Sequence, residues 1–189
     1  MKAVMISIRT EWCEKIASGE KTVDVRKTRP KIEPPFKCYI YCTKGKGDCL
    51  WRWNGIWYDT QDPKHRPNRL DGMVIGEFVC DRIDYWNHHI HDDDTITLER
   101  ARELSCVSED DLVKYANLGH FYAWHISDLV IYDKPKRLNE FYQKCKSYPK
   151  DEFEYDDCLF CENPCGNGGK LHLKRPPQSW CYVVEGGAK

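Results

Sequence analysis

The chain has 189 residues, of which 41% are apolar, 31% charged and 13% aromatic, and its formal net charge is −1. That composition can fill a core and excludes a disordered chain, and the length fits one domain carrying insertions. No apolar run approaches the roughly 18 residues of a membrane span, and the amino-terminal stretch is too short and too soon charged for a secretory leader.

The eleven cysteines are an odd number in a chain without an export signal, which points to a reducing cytoplasm with free thiols or a metal site. Charge is unevenly spread. Residues 1–46 hold 11 Lys/Arg against 5 Asp/Glu, and the remainder holds 18 against 25. A basic first quarter beside an acidic middle points to an anionic ligand on one face, or to halves that neutralise each other across the fold.

In chain order, residues 3–8 are expected to form a buried strand. Thr10 is placed to cap a helix over 11–18, with Trp12, Cys13, Ile16 and Ala17 inward and Glu11 paired with Lys15. Gly19 is its left-handed stop. Residues 22–26 are the next strand, and Pro30, Pro34 and Pro35 mark a turn. Residues 36–43 alternate β-formers and make a third strand. Residues 44–71 read as a long hairpin or inserted loop, rich in Trp51, Trp53, Trp57 and Tyr58 interleaved with Lys44, Lys46, Arg52, Lys64, Arg66 and Arg69.

Residues 72–80 are a strong buried strand. Residues 84–112 are acidic, with helices expected at 98–104 and, capped by Ser108, at 109–116. Residues 120–132 make a strand or strand pair ended by Pro135. A helix or turn near 138–145 leads into a Cys-rich insertion (138–176), and residues 179–184 make the closing strand. Short strands, few helices and no βαβ rhythm give an α+β, mainly β fold: a small antiparallel or mixed β-barrel with short rim helices.

Residues 19–30 carry the densest functional signal. Lys21, Arg26, Lys27 and Arg29 gather with Asp24 at a helix-to-strand junction. Lys21 can meet a phosphate as a point charge, act in proton transfer if burial lowers its pKa, or pair structurally with Asp24. Arg26 can hold a phosphate bidentately or hold Asp24. Strand parity puts Thr22, Asp24 and Arg26 on one face, so Lys21 joins them only if it lies outside the regular pleat. Arg9, Lys27 and Arg29 extend the basic surface or are solvated charges. Trp12 is core or a stacking platform, and the aromatic-basic insertion stacks bases or plugs a hairpin.

Cys145, Cys158, Cys161 and Cys165 have the spacing C-x12-C-x2-C-x3-C, which suits a structural tetrahedral zinc, with His172 able to replace one thiol; free thiols and disulfides are the alternatives. Cys38, Cys42, Cys80 and Cys181 read as small core residues. His88, His89 and His91 beside Asp92, Asp93 and Asp94 read as an exposed loop or a metal cluster. No nucleophile elbow, P-loop or zinc-protease pattern is present.

The run Gly19-x-Lys21-x-x-Asp24-x-Arg26 resembles the GxKxxExR signature of ASCH domains. Ser7-Ile8-Arg9, Trp12, residues 72–81, Ala123-Trp124-His125-Ile126 and Pro177-Gln178-Ser179-Trp180-Cys181-Tyr182 resemble phage and prophage members of that family. The resemblance implies a single PUA-like barrel over 1–189, a cleft beside the signature helix, and RNA, another nucleic acid or a nucleotide as ligand. The residues expected to hold that ligand are Arg9, Trp12, Lys21, Asp24, Arg26, Lys27 and Arg29. The resemblance also implies an alternative: a hydrolase of a modified nucleoside or of RNA, amidohydrolase- or ribonuclease-like, with Lys21 and Asp24 catalytic. Asp24 departs from the signature's Glu, and it stands where amidohydrolase-type members carry a Thr nucleophile. A third reading is a phage protein that binds a host protein through the acidic middle.

Overall fold

The computed structural model describes residues 3–45, 51–53, 56–58, 69–89, 93–144 and 170–185. Strand β1 (Ala3–Ile8) leads into helix α1 (Thr10–Ala17), β2 (Val23–Arg26) and β3 (Phe36–Cys42). The short strands β4 (Trp51–Trp53) and β5 (Ile56–Tyr58) pair with each other, and β6 (Val74–Cys80) and β7 (Ile83–Asn87) follow. Helices α2 (Leu98–Ser105) and α3 (Glu109–Ala116) precede β8 (His120–His125), β9 (Ser127–Lys136), a 3₁₀ turn at Leu138–Glu140, β10 (Phe141–Lys144), β11 (Lys170–His172) and β12 (Trp180–Glu185).

The strands make two main sheets. One has seven strands in the order β11-β10-β12-β1-β3-β6-β9, and the other has three in the order β2-β8-β7. β1 pairs in parallel with β3 and antiparallel with β12. The fold is thus mainly β with mixed sheets, as its alternating runs require. The expected barrel takes the form of two sheets that share a core. That core joins Val4, Ile6 and Ile8 of β1, Cys38, Ile40 and Cys42 of β3, Cys13 and Ile16 of α1, and Trp124 of β8.

Parity explains why β1 and β3 read as continuous apolar runs. The odd residues Ala3, Met5, Tyr39 and Tyr41 pack on the other face of the large sheet with Phe141, Leu173 and Val183. A strand buried on both faces loses the apolar-polar alternation. The small sheet is also two-sided. Val23, Phe121 and Ala123 face Ala101 of α2 and Leu112 and Ala116 of α3.

The helix boundaries follow their caps. Thr97 accepts from the Arg100 N–H, and Ser108 accepts from the Asp111 N–H, as expected for Ser108. At α1 the expectation fails. Arg9 is the N-cap and makes no side-chain cap bond, and Thr10 is already helical, its Oγ1 lying 3.8 Å from Cys42 Sγ. The expected Glu11–Lys15 pair gives way to Glu11 beside Arg9 and Lys15 beside Glu20, each at 3.8 Å. Gly19 is the left-handed stop, with φ +81°.

Pro135 does not end β9, which runs on to Lys136, the last strand of its sheet on that side. An edge strand tolerates proline because no further strand needs its missing N–H. The expected strand at 120–132 is a pair, β8 and β9. Strand β7 was hidden in the acidic segment, and β10 and β11 in the segment read as helix, turn and insertion.

Candidate functional site

The site begins where α1 stops. Ser18 and Gly19 close the helix, and the Lys21 N–H donates to the Lys15 carbonyl at 2.9 Å while the Thr22 N–H donates to the Leu104 carbonyl at 2.9 Å. These bonds hold Lys21 off the ladder of β2, which starts at Val23, while the Thr22 carbonyl already accepts from the Ile126 N–H beyond β8. Lys21 is therefore free of strand parity, and its ammonium joins the face of Asp24 and Arg26.

All three side chains are buried, with relative exposures of 3%, 6% and 8% for Lys21, Asp24 and Arg26. Lys21 Nζ donates to the Ser105 carbonyl at 2.9 Å, lies 3.8 Å from Asp24 Oδ1 and sits 5.2 Å from the Trp12 ring centroid. Ser105 is the last residue of α2, so the ammonium meets the negative end of a helix dipole. Burial nonetheless pulls the Lys21 pKa below its ordinary value, against the opposing pull of Asp24.

Arg26 uses four of its five N–H donors. Its Nε donates to Asp24 Oδ2 at 2.6 Å, Nη2 to the Ser7 carbonyl at 2.9 Å, and Nη1 to the Ser179 carbonyl at 3.1 Å and hydroxyl at 3.3 Å. A buried guanidinium needs such partners. Of the two roles the sequence offers Arg26, the structure shows the hold on Asp24, and the same fork ties β1, β2 and the approach to β12 together.

A cleft of about 890 Å³ opens over this group. Arg9, Trp12, Lys21, Asp24 and Arg26 line it. Lys27 and Arg29 do not. Lys27 Nζ reaches the Ala116 carbonyl at the end of α3, and Arg29 pairs with Glu33. Both follow the end of β2, and Lys27 reaches over α3 instead, its Nζ 5.4 Å from the Tyr115 ring centroid.

The sequence reading missed the opposite wall. Asp111 and Tyr115 of α3 and residues 176–179 complete the lining, joined by Ser7 and Thr43. Only the spacing of Asp111 and Tyr115, one helical turn apart, could have flagged a shared face. The lining charges balance, with Arg9, Lys21 and Arg26 set against Glu11, Asp24 and Asp111. The cleft is amphoteric rather than the basic groove expected.

Cys145, Cys158, Cys161 and Cys165 lie outside the described residues, as do His91, Asp92 and the cations at 46, 64 and 66. Among the described residues no group of three metal-ligating side chains is present. His172, the substitute ligand, has Nδ1 2.5 Å from the Asn139 carbonyl. Cys13, Cys38, Cys42 and Cys80 are buried free thiols in the core, and Cys181 is half-buried. Among the described residues no helix is long and apolar enough to cross a membrane.

No protein-family model matches the chain, and no curated protein does. Solved structures do. The ASCH protein from Zymomonas mobilis superposes with a TM-score of 0.54 at 17% identity, covering 96% of this chain and 87% of that one. A serine-to-alanine mutant of the same Zymomonas mobilis protein superposes with a TM-score of 0.54 at 18% identity, covering 96% and 88%. The chain thus has the fold of an ASCH protein over nearly its whole length.

Proposed function

We propose that this protein is an ASCH-type RNA-binding module whose cleft holds one nucleotide unit of the strand. The observation that carries this reading is the buried Lys21–Asp24–Arg26 group under a cleft of about 890 Å³ walled by Trp12 and Tyr115. That volume is of the size that encloses a small ligand. Trp12 and Tyr115 supply stacking faces, Lys21 keeps donors and Asp24 an acceptor toward the ligand, and exposed Arg9 meets a phosphate. Because lining charges balance, affinity depends on salt with a shallow slope, set by one or two phosphate contacts.

Fluorescence anisotropy with a short labelled RNA tests this. The expected result is binding that weakens about tenfold or more on Lys21→Ala and on Trp12→Ala. Unchanged binding in both variants would remove the cleft from the reading.

The buried Lys21 amine, 3.8 Å from Asp24 and lining the cleft, supports a second reading, a hydrolase of a modified nucleoside or of RNA. A Lys21 amine beside Asp24 can accept a proton from an attacking water. Residue 24 is a carboxylate with its Oδ2 engaged by Arg26, so it supplies no hydroxyl nucleophile, and this reading takes water in that role. Incubation with acylated nucleosides and with RNA, wild type against Asp24→Asn, separates the two readings; equal traces of product from both proteins dismiss turnover.

The spacing of Cys145, Cys158, Cys161 and Cys165 supports a structural zinc as part of the same proposal. Elemental analysis of protein purified without added metal should find about one zinc per chain, and a content far below that would refute the site.

A further inference from the structure

The cleft leaves Arg29 and Lys31 unused, and two aromatic rows beside it are also unused. Both rows adjoin Arg26. On one side Tyr122 lies across the strand pair from Arg26, and Tyr85 lies across from Tyr122. Their ring centroids are 5.4 Å apart, and His120 closes the triangle at 5.4 and 5.3 Å. On the other side Arg26 holds Ser179, and the next residue, Trp180, has its ring 5.5 Å from that of Tyr182.

The second row is tied to the loop that carries the unused cations. Trp180 Nε1 donates to Thr28 Oγ1 at 2.9 Å, and the Lys31 N–H donates to the Tyr182 hydroxyl at 2.7 Å. These two bonds fix residues 28–31 over the row and bring Arg29 and Lys31 to its border. Both are exposed, and the Arg29–Glu33 pair at 3.4 Å is an exposed contact that holds little energy.

These rings are not simply core. Their neighbours Phe121 and Trp124 are fully buried, whereas Tyr85, His120, Tyr122 and Trp180 are half-buried and Tyr182 is 36% exposed. Aromatic faces bordered by exposed cations suit a chain that alternates flat rings with negative charges. Single-stranded nucleic acid has that chemistry.

We propose that the two aromatic rows and the Arg29–Lys31 loop form a second contact surface that takes the RNA strand beyond the cleft, with bases on the rings and phosphates on the cations. This rests on the RNA reading of the cleft and adds to it a direction and a length for the bound strand.

The test is fluorescence anisotropy of the full chain with labelled oligouridines of two and of ten nucleotides. Wild type should bind the longer RNA more tightly, because only it reaches past the cleft. Tyr85→Leu and Tyr182→Leu, which keep an apolar body at each position, should each weaken the longer RNA about tenfold and narrow that gap. The double substitution Arg29→Gln with Lys31→Gln lies wholly on exposed side chains and should lower the salt slope for the longer RNA by about 1.4, two single-strand phosphate contacts.

Equal affinity of wild type for both lengths overturns the proposal, as does a longer-RNA affinity and salt slope unmoved in all the variants. Either result leaves the cleft reading standing if Lys21→Ala still weakens binding. Failure of wild type to bind either RNA overturns both.

Discussion

Lys21 and Asp24 lie on opposite faces of any regular strand that contains both, yet the Lys21 ammonium sits 3.8 Å from the Asp24 carboxylate. The contact exists because the strand begins two residues after Lys21. The Lys21 N–H is bonded back to α1 and the Thr22 N–H to α2, and the Thr22 carbonyl, which accepts from the Ile126 N–H, already faces the chain beyond β8. A helix stop, a two-residue step and a short edge strand together bring a cation, a carboxylate and a second cation to one buried point.

Arg26 should be the residue on which stability depends most within this group. Removing it strands a buried carboxylate and the acceptors of Ser7 and Ser179. Arg26→Ala is expected to cost about 3–5 kcal/mol in urea denaturation. A loss below about 1 kcal/mol would show that the clamp carries no such weight. Arg26→Lys should recover only part of it, since an ammonium cannot reach Asp24, Ser7 and Ser179 at once.

Lys21 should show the opposite balance of stability and function. Its folded pKa is lowered by burial, so the unfolded chain holds this proton more tightly. Stability therefore rises with pH from the lowered folded pKa up to the ordinary lysine value, where the cost of the buried ammonium has been relieved. Lys21→Met removes that cost at every pH. Wild type should gain on Lys21→Met between neutral pH and about pH 10, read as the difference between their urea midpoints. A constant difference across that range would mean that the amine titrates normally. The same substitution should weaken RNA binding.

Ser108→Ala should destabilise the protein by about 1 kcal/mol through the lost cap of α3. Because α3 carries Asp111 and Tyr115 to the cleft wall, the variant should also bind RNA less tightly while Lys21 stays in place. Thr97→Ala, the matching cap of α2, tests the other support, since the end of α2 supplies the Ser105 carbonyl that receives Lys21. Thermal melts and anisotropy on both variants check these outcomes.

Gly76→Ala should cost about 1–3 kcal/mol. A Cβ there would lie 2.4 Å from the Val130 carbonyl oxygen, a backbone atom in the edge strand β9 that cannot swing aside. The position lies where the β6–β9 register shifts, so the close approach belongs to the irregular pairing. A melt indistinguishable from wild type would show that β9 can move away freely.

Local features were legible where a local rule decided them. Gly19 stops α1, Ser108 caps α3, and the alternation at 36–42 yields a strand whose cysteines face one core and tyrosines another. Thr10 was misread because capping depends on where the backbone leaves the strand, one residue earlier. Strand β7 was missed because the acidic segment around it masks a run, Ile83 to Asn87, whose partner β8 lies more than thirty residues on. The edge position of β9 could not be seen either, and only that position lets Pro135 remain in the strand.

By itself the sequence determined which residues could meet. It set Asp24 and Arg26 on one face, placed Lys21 just after a glycine stop, and showed that nothing at position 24 can act as a hydroxyl nucleophile. Tertiary structure decided what those residues are occupied with. Arg26 spends its donors on Ser7 and Ser179, which come from opposite ends of the chain, and Asp111 from α3 balances a cleft that looked basic along the sequence. Hydrogen-bond partners and net local charge depend on distances across the fold, and a linear pattern reports only those along the backbone.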